Sequence, residues 1–149
     1  MARFRYRLQK VLNIKLKLED QAKQEFSTAR MLLIQEEEKL EALLERKRGY
    51  EDRARELLSG VLNVQEIETN KNAILTMDGY IADQRMHVEK ARRRLEQARE
   101  RMTAAMQERK IQETLREKEF EAFLREENRA ESKVIDELTS YTYGQKQEV

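Results

Sequence analysis

Cysteine, proline and tryptophan are absent from this 149-residue chain, and glycine occurs only four times. Without cysteine there is no disulfide framework, thiolate metal site or thiol nucleophile, and a reducing compartment is compatible with the composition. Without proline, nothing forbids helix over long stretches except the neighbourhoods of Gly49, Gly60, Gly79 and Gly144. An excess of either charge is also missing, since 30 basic against 29 acidic side chains leave a net +1. That balance argues against a dedicated nucleic-acid binder, whose affinity comes largely from basic excess. No apolar run reaches signal-peptide or membrane-spanning length, so a cytoplasmic location is expected.

What is abundant is charge, at 40% of residues, with 39% hydrophobic residues spread evenly between the charges. Such a surface excludes a large globular core, and the even spread disfavours disorder. Spacings that alternate three and four residues keep one seam facing a partner helix. One such seam runs through Phe4, Leu8, Val11, Lys15, Leu18, Ala22, Phe26, Ala29, Leu33, Glu36, Leu40, Leu43, Lys47, Tyr50, Ala54 and Leu57, with only Lys15, Glu36 and Lys47 polar. Two consecutive four-residue steps, Leu18 to Ala22 to Phe26, predict a local stutter. A second seam passes through Ile67, Asn70, Ile74, Met77, Ile81, Gln84, Val88, Ala91, Leu95, Ala98, Met102 and Ala105. Near Ile111 and Leu115 the register is expected to shift, and a later aromatic stripe follows Phe120, Phe123, Ala130, Val134, Leu138 and Tyr141.

Stop and start signals coincide only at Ser59 to Glu66: Gly60 suits a left-handed helix end, and Asn63 with Glu66 forms a capping-box-like pair. The reading is all-α, a single domain forming a long antiparallel two-helix coiled-coil hairpin. Helix one spans about residues 4–58, the turn 59–63, helix two 64–140, and a flexible tail 141–149. At ~1.5 Å per residue the helices would be ~80 and ~115 Å long. Folding back near residue 61 sets Phe4 opposite Lys118, and the chain from about Phe120 onward overhangs.

Chemistry finds no foothold. His87 is the single histidine and has no second His or Cys near it, so no metal site is expected. Glu36-Glu37-Glu38 and Glu126-Glu127 point about 100° apart on a helix and do not converge. Phosphate loops and the usual hydrolase signatures are absent, and neither enzyme activity nor a cofactor is expected. Interaction surfaces are easier to find. Arg3, Arg5, Arg7, Lys10, Lys15 and Lys17 precede the first acid, Glu19, and make an electropositive end suited to an acidic protein surface, with anionic lipid or RNA as alternatives. Leu75 and Tyr80 lie outside the seam near Gly79, exposing more apolar surface than solubility requires.

The opening Phe4-Arg5-Tyr6-Arg7-Leu8-Gln9-Lys10-Val11-Leu12 resembles that of the FliJ family of bacterial flagellar type III export proteins. The short turn before Val64-Gln65-Glu66-Ile67, the run Phe123-Leu124-Arg125-Glu126-Glu127-Asn128, and Asp136-Glu137-Leu138 followed by Ser140-Tyr141 are similar too. The resemblance implies an antiparallel coiled coil like the central stalk of rotary ATPases. It also implies a cytoplasmic role, at most peripheral to the inner face of the cell membrane. The implied partners are the hexameric flagellar export ATPase, whose ring assembly it promotes, and the membrane export gate protein, with export chaperones as a further candidate. For the ATPase ring the resemblance points to Arg3, Arg5, Arg7, Phe123, Arg125 and Asn128; for the gate, to Ala73, Met77, Tyr80 and Gln84. The competing reading is a generic coiled-coil scaffold or a homodimeric adaptor whose helices run in parallel through Gly60.

Overall fold

The computed structural model describes residues 2–147, and among them there are two helices and no strand. Helix α1 spans Gln9–Leu57 and α2 spans Val64–Gln147. They pack antiparallel as a hairpin with the second helix the longer, the fold class that the two seams predict. By contact the chain divides into two units, Gln21–Thr103, which contains the turn, and Met1–Asp20 with Ala104–Val149, which contains both ends.

In the turn-bearing unit the seam is the predicted one. Ala22 and Ala29 of α1 are buried, as are Asn70, Met77, Ile81, Gln84, Val88, Ala91 and Ala98 of α2. The polar seam residues are answered across the interface. The Asn70 amide donates to the Tyr50 carbonyl (3.1 Å), and the Gln84 amide donates to the Glu36 carbonyl (3.0 Å) and to its carboxylate. Lys47 pairs with Asp78 at 2.7 Å. A buried polar group without a partner costs free energy, so each pairing favours one axial alignment over slipped ones.

The turn forms where expected. Gly60 adopts φ 110°, a left-handed value that a Cβ disfavours. The Ser59 hydroxyl donates to the Glu56 carbonyl (2.9 Å), and the Asn63 side-chain oxygen accepts from the amides of Gln65 (3.1 Å) and Glu66 (3.3 Å). Asn63 is therefore the N-cap of α2. Asn63→Ala is expected to cost about 1 kcal/mol of stability and Asn63→Gly only a few tenths, read from urea unfolding curves.

The unit that contains both ends corrects the sequence reading in three places. First, α1 begins at Gln9 rather than near Phe4. Three arginines and no acid at that end oppose the positive pole of the helix dipole, and the first turn carries no acidic residue. Second, there is no stutter at Leu18. Glu19 is 5% exposed and Leu18 43% exposed, so burial runs from Leu8 into α1 through Leu12, Lys15, Glu19, Ala22 and Phe26 in four-three alternation, with Val11 half-buried beside it. Third, the α2 register does not shift near Ile111 and Leu115, both of which are exposed; the seam continues through Arg109 and Gln112. Arg109 bonds to Glu19 and, at 2.8 Å, to Glu113, while Lys15 reaches Glu108 at 2.8 Å. A seam position can be polar when the facing helix supplies the opposite charge.

Helix α2 also runs to Gln147, beyond the expected end at Ser140. Gly144 alone, at about 1 kcal/mol relative to alanine, is too weak a stop without a proline behind it. Of the tail expected at 141–149, the last two residues lie outside the described ones.

Candidate partner-docking faces

Phe4 gathers the first candidate face. Its ring lies 5.0 Å from that of Phe120, edge-on, and 5.5 Å from that of Phe123, with the Arg116 guanidinium 5.6 Å over its own ring. The Tyr6 hydroxyl donates to the Gln112 side-chain oxygen at 2.8 Å, and Arg116 donates to the Gln9 side chain at 3.2 Å. These contacts hold the extended segment before α1 against α2. Alternation along that segment then buries Tyr6, half-buries Phe4, and leaves Arg3, Arg5 and Arg7 exposed. Three exposed cations therefore flank Phe4 and Tyr6 in the chain, Phe123 is half-buried in the aromatic cluster with Phe4, and Arg125 and Asn128 are exposed farther along α2.

Beyond Phe123, α2 has no α1 residue to pack on. From Asn128 to Gln145 every side chain is exposed, including Val134, Ile135, Leu138, Tyr141 and Tyr143. Ile135, Leu138, Thr139, Thr142 and Tyr143 line a shallow groove there. The sequence stripe through Val134, Leu138 and Tyr141 is thus present and uncovered.

The second face is in the turn-bearing unit. Tyr80 is 53% exposed and Ala73 half-buried, whereas Met77 and Gln84 are buried in the seam. The four expected gate residues therefore do not share one surface. Leu75, which the sequence singles out, lines an apolar groove of about 230 Å³ with Ala54, Leu57, Leu58, Ile67 and Ile74, and the part nearest the turn is what sequence reasoning passed over. Exposed Leu58, Val61, Leu62 and Val64 sit at the turn beside it. The signal was available, because residues 57–65 carry no charge in a chain where four residues in ten do.

Among the described residues no group of three or more His, Cys, Asp or Glu side chains could hold a metal ion, and no helix is long and apolar enough to cross a membrane. The displaced ionisations are those of paired seam residues. The hydrogen bond from Gln84 holds the Glu36 carboxyl below the usual glutamate range, with Lys39 adding to it against partial desolvation. Asp78 raises the Lys47 ammonium, and Glu19 followed by Glu113 raises the Arg109 guanidinium. A carboxyl depressed on folding contributes stability that is complete above its unfolded value and lost as pH falls through the lower, folded one. Stability is therefore expected to decline across that acid window, and Glu36→Gln to flatten the decline, as read from urea midpoints at stepped pH.

The flagellar FliJ protein family matches residues 4–148 of the chain. Comparison with curated proteins gives no match. Among solved structures the chain is similar to CT670 of Chlamydia trachomatis, described as a candidate YscO homologue. The TM-score is 0.68 at 24% identity, over 98% of this chain and 99% of that one, a likeness of fold.

Proposed function

Since the chain belongs to the flagellar FliJ protein family, we propose that it acts as a non-enzymatic accessory stalk of the flagellar type III export apparatus. In this role it docks in the export ATPase ring, promotes ring assembly and links the ring to the membrane export gate, peripheral to the inner face of the membrane. The observation that carries the reading is the packing of the segment before α1 onto α2 at Phe120 and Phe123. Phe4 against Phe120 and Phe123 sets three exposed arginines beside a helix that continues with an uncovered apolar stripe. An acidic, partly apolar ring lumen is the surface such an end would complement, with Arg3, Arg5, Arg7, Arg125 and Asn128 as the polar contacts and Phe123 supporting them. For the gate, Tyr80 and Ala73 offer accessible surface, while Met77 and Gln84 lie beneath and fix which side of α2 faces outward.

The test is a pull-down with the cognate export ATPase, reading both binding and stimulated ring assembly; failure of both would sink the proposal. Arg3→Glu, Arg5→Glu and Arg7→Glu together are expected to weaken binding at least tenfold at low salt, with the gap to the natural chain narrowing as salt rises. Tyr80→Ala should leave that binding unchanged and reduce capture of the gate protein.

A further inference from the structure

The seam in the unit that contains both chain ends leaves out its best apolar candidates. At the seam stand Lys15, Glu19, Arg109 and Gln112, while Ile14, Leu18, Ile111 and Leu115 are exposed. Two of the exposed residues, Leu18 and Leu115, share a heptad position, whereas Ile14 and Ile111 fall at c, away from the seam. In the heptad where Leu12 and Glu19 hold position a and Leu8 and Lys15 hold d, Val11 and Leu18 both fall at g. In the α2 heptad, where Arg109 is a and Gln112 is d, Leu115 also falls at g and Glu108 with it. Antiparallel pairing sets g positions of the two helices on the same flank, and there Glu108 at g of α2 reaches across to Lys15 at d of α1. Val11, already half-buried, and the exposed Leu18 and Leu115 therefore line one side of the same pair of helices, immediately beside the seam.

A second seam, apolar at Leu8, Val11, Leu18 and Leu115, thus lies next to the first. Turning each helix by about 50°, one seventh of a turn, replaces an a/d seam by a d/g seam. On α1 the new seam reads Leu8, Val11, Lys15 and Leu18, and it rejoins the old one at Ala22 through the four-residue steps to Phe26. On α2 it reads Glu108, Gln112 and Leu115, rejoining at Ala105. Leu12 leaves the interface, Leu18 and Leu115 enter it, and Glu19 and Arg109 return to water. A buried ion pair is a weak source of stability because desolvation offsets its attraction, so releasing it does not forbid the exchange. Packed helix pairs that change arrangement do so between discrete states.

We propose that this part of the hairpin is a two-register switch: the seam held by Glu19 and Arg109 alternates with one in which Val11, Leu18 and Leu115 lie between the helices. Rotation there carries the arginine-bearing segment around α2, so any partner that grips one register more tightly shifts the population toward it.

The chain has no cysteine, so single thiols report each state. Leu12→Cys and Leu18→Cys are labelled with a maleimide under native conditions, each alone and each with Glu19→Lys, which sets an ammonium against Arg109. The switch predicts opposite changes: labelling at position 12 speeds up about fivefold or more and labelling at position 18 slows by a similar factor. Adding Arg109→Glu, which restores an opposite-charge pair, returns both rates to their starting values. Rates that rise together, as simple fraying would give, or that do not move, overturn the proposal.

Discussion

Ile81→Ala is expected to lower the unfolding free energy by about 3 kcal/mol, while Ile111→Ala changes it by less than about 0.5 kcal/mol. The two isoleucines are chemically identical and lie on the same helix. Ile81 is 5% exposed at a seam position, and truncation there removes transfer free energy and leaves a void that Met77, Gln84 and Val88 cannot fill. Ile111 is 58% exposed, so little buried area is lost, and alanine's higher helix propensity offsets part of that. Urea unfolding followed by circular dichroism reads both values. Equal losses at the two sites would mean that Ile111 is a seam residue after all and that the polar continuation through Arg109 is wrong.

That contrast also marks how far the pattern of one strand of sequence can be trusted. From Ile67 to Ala105 every position read as seam is buried or half-buried, because apolar side chains recur there without a rival stripe. Asn70 and Gln84 could be read through because their neighbours three and four residues away are apolar. At Leu18 the same logic failed. Two stripes compete there, and hydrophobicity alone selects leucine over glutamate; what makes Glu19 acceptable is an arginine 90 residues away. Ile111 and Leu115 misled in the same way against Arg109 and Gln112. Pairing across an interface is information that periodicity does not contain.

The docking residues divide similarly. Arg3, Arg5 and Arg7 could be singled out as a run of uncompensated bases, and Phe123 as part of an aromatic stripe, but their meeting depends on Phe4 folding down before α1 begins. A helix extended back to Phe4 would have kept Arg3 and Arg7 on one face and turned Arg5 to the opposite one. Met77 and Gln84 were chosen by likeness to a family position, while the three-four spacing already placed both in the seam. Their burial was legible. Leu75 stands out in the sequence as apolar surface off the seam, but the groove that it shares with Leu57 and Leu58 is made by the turn, which periodicity does not describe.

Ending the chain at Glu127 is expected to leave stability within about 0.5 kcal/mol of the full-length value and to reduce stimulation of ATPase ring assembly at least tenfold. The first half follows from burial: from Asn128 to Gln145 no side chain is covered, so removing the segment forfeits no tertiary packing. A helix held only by its own hydrogen bonds and pairs such as Gln145 with Tyr141 is marginal in water, since length and propensity alone supply little beyond the nucleation cost. The second half follows from what that segment carries. Val134, Ile135, Leu138 and Tyr141 expose a continuous apolar face whose burial by a partner would return about 25 cal/mol per Å² covered, and would order a helix that has no other support. The truncated chain keeps Arg3, Arg5, Arg7 and the Phe4 cluster, so it separates attraction by charge from grip by apolar contact. Thermal and urea unfolding read the first expectation, and sedimentation of the ATPase with and without the chain reads the second. A large loss of stability would show that the segment is packed on the rest of the molecule. Undiminished ring assembly would confine docking to the arginine-bearing segment and the residues up to Glu127.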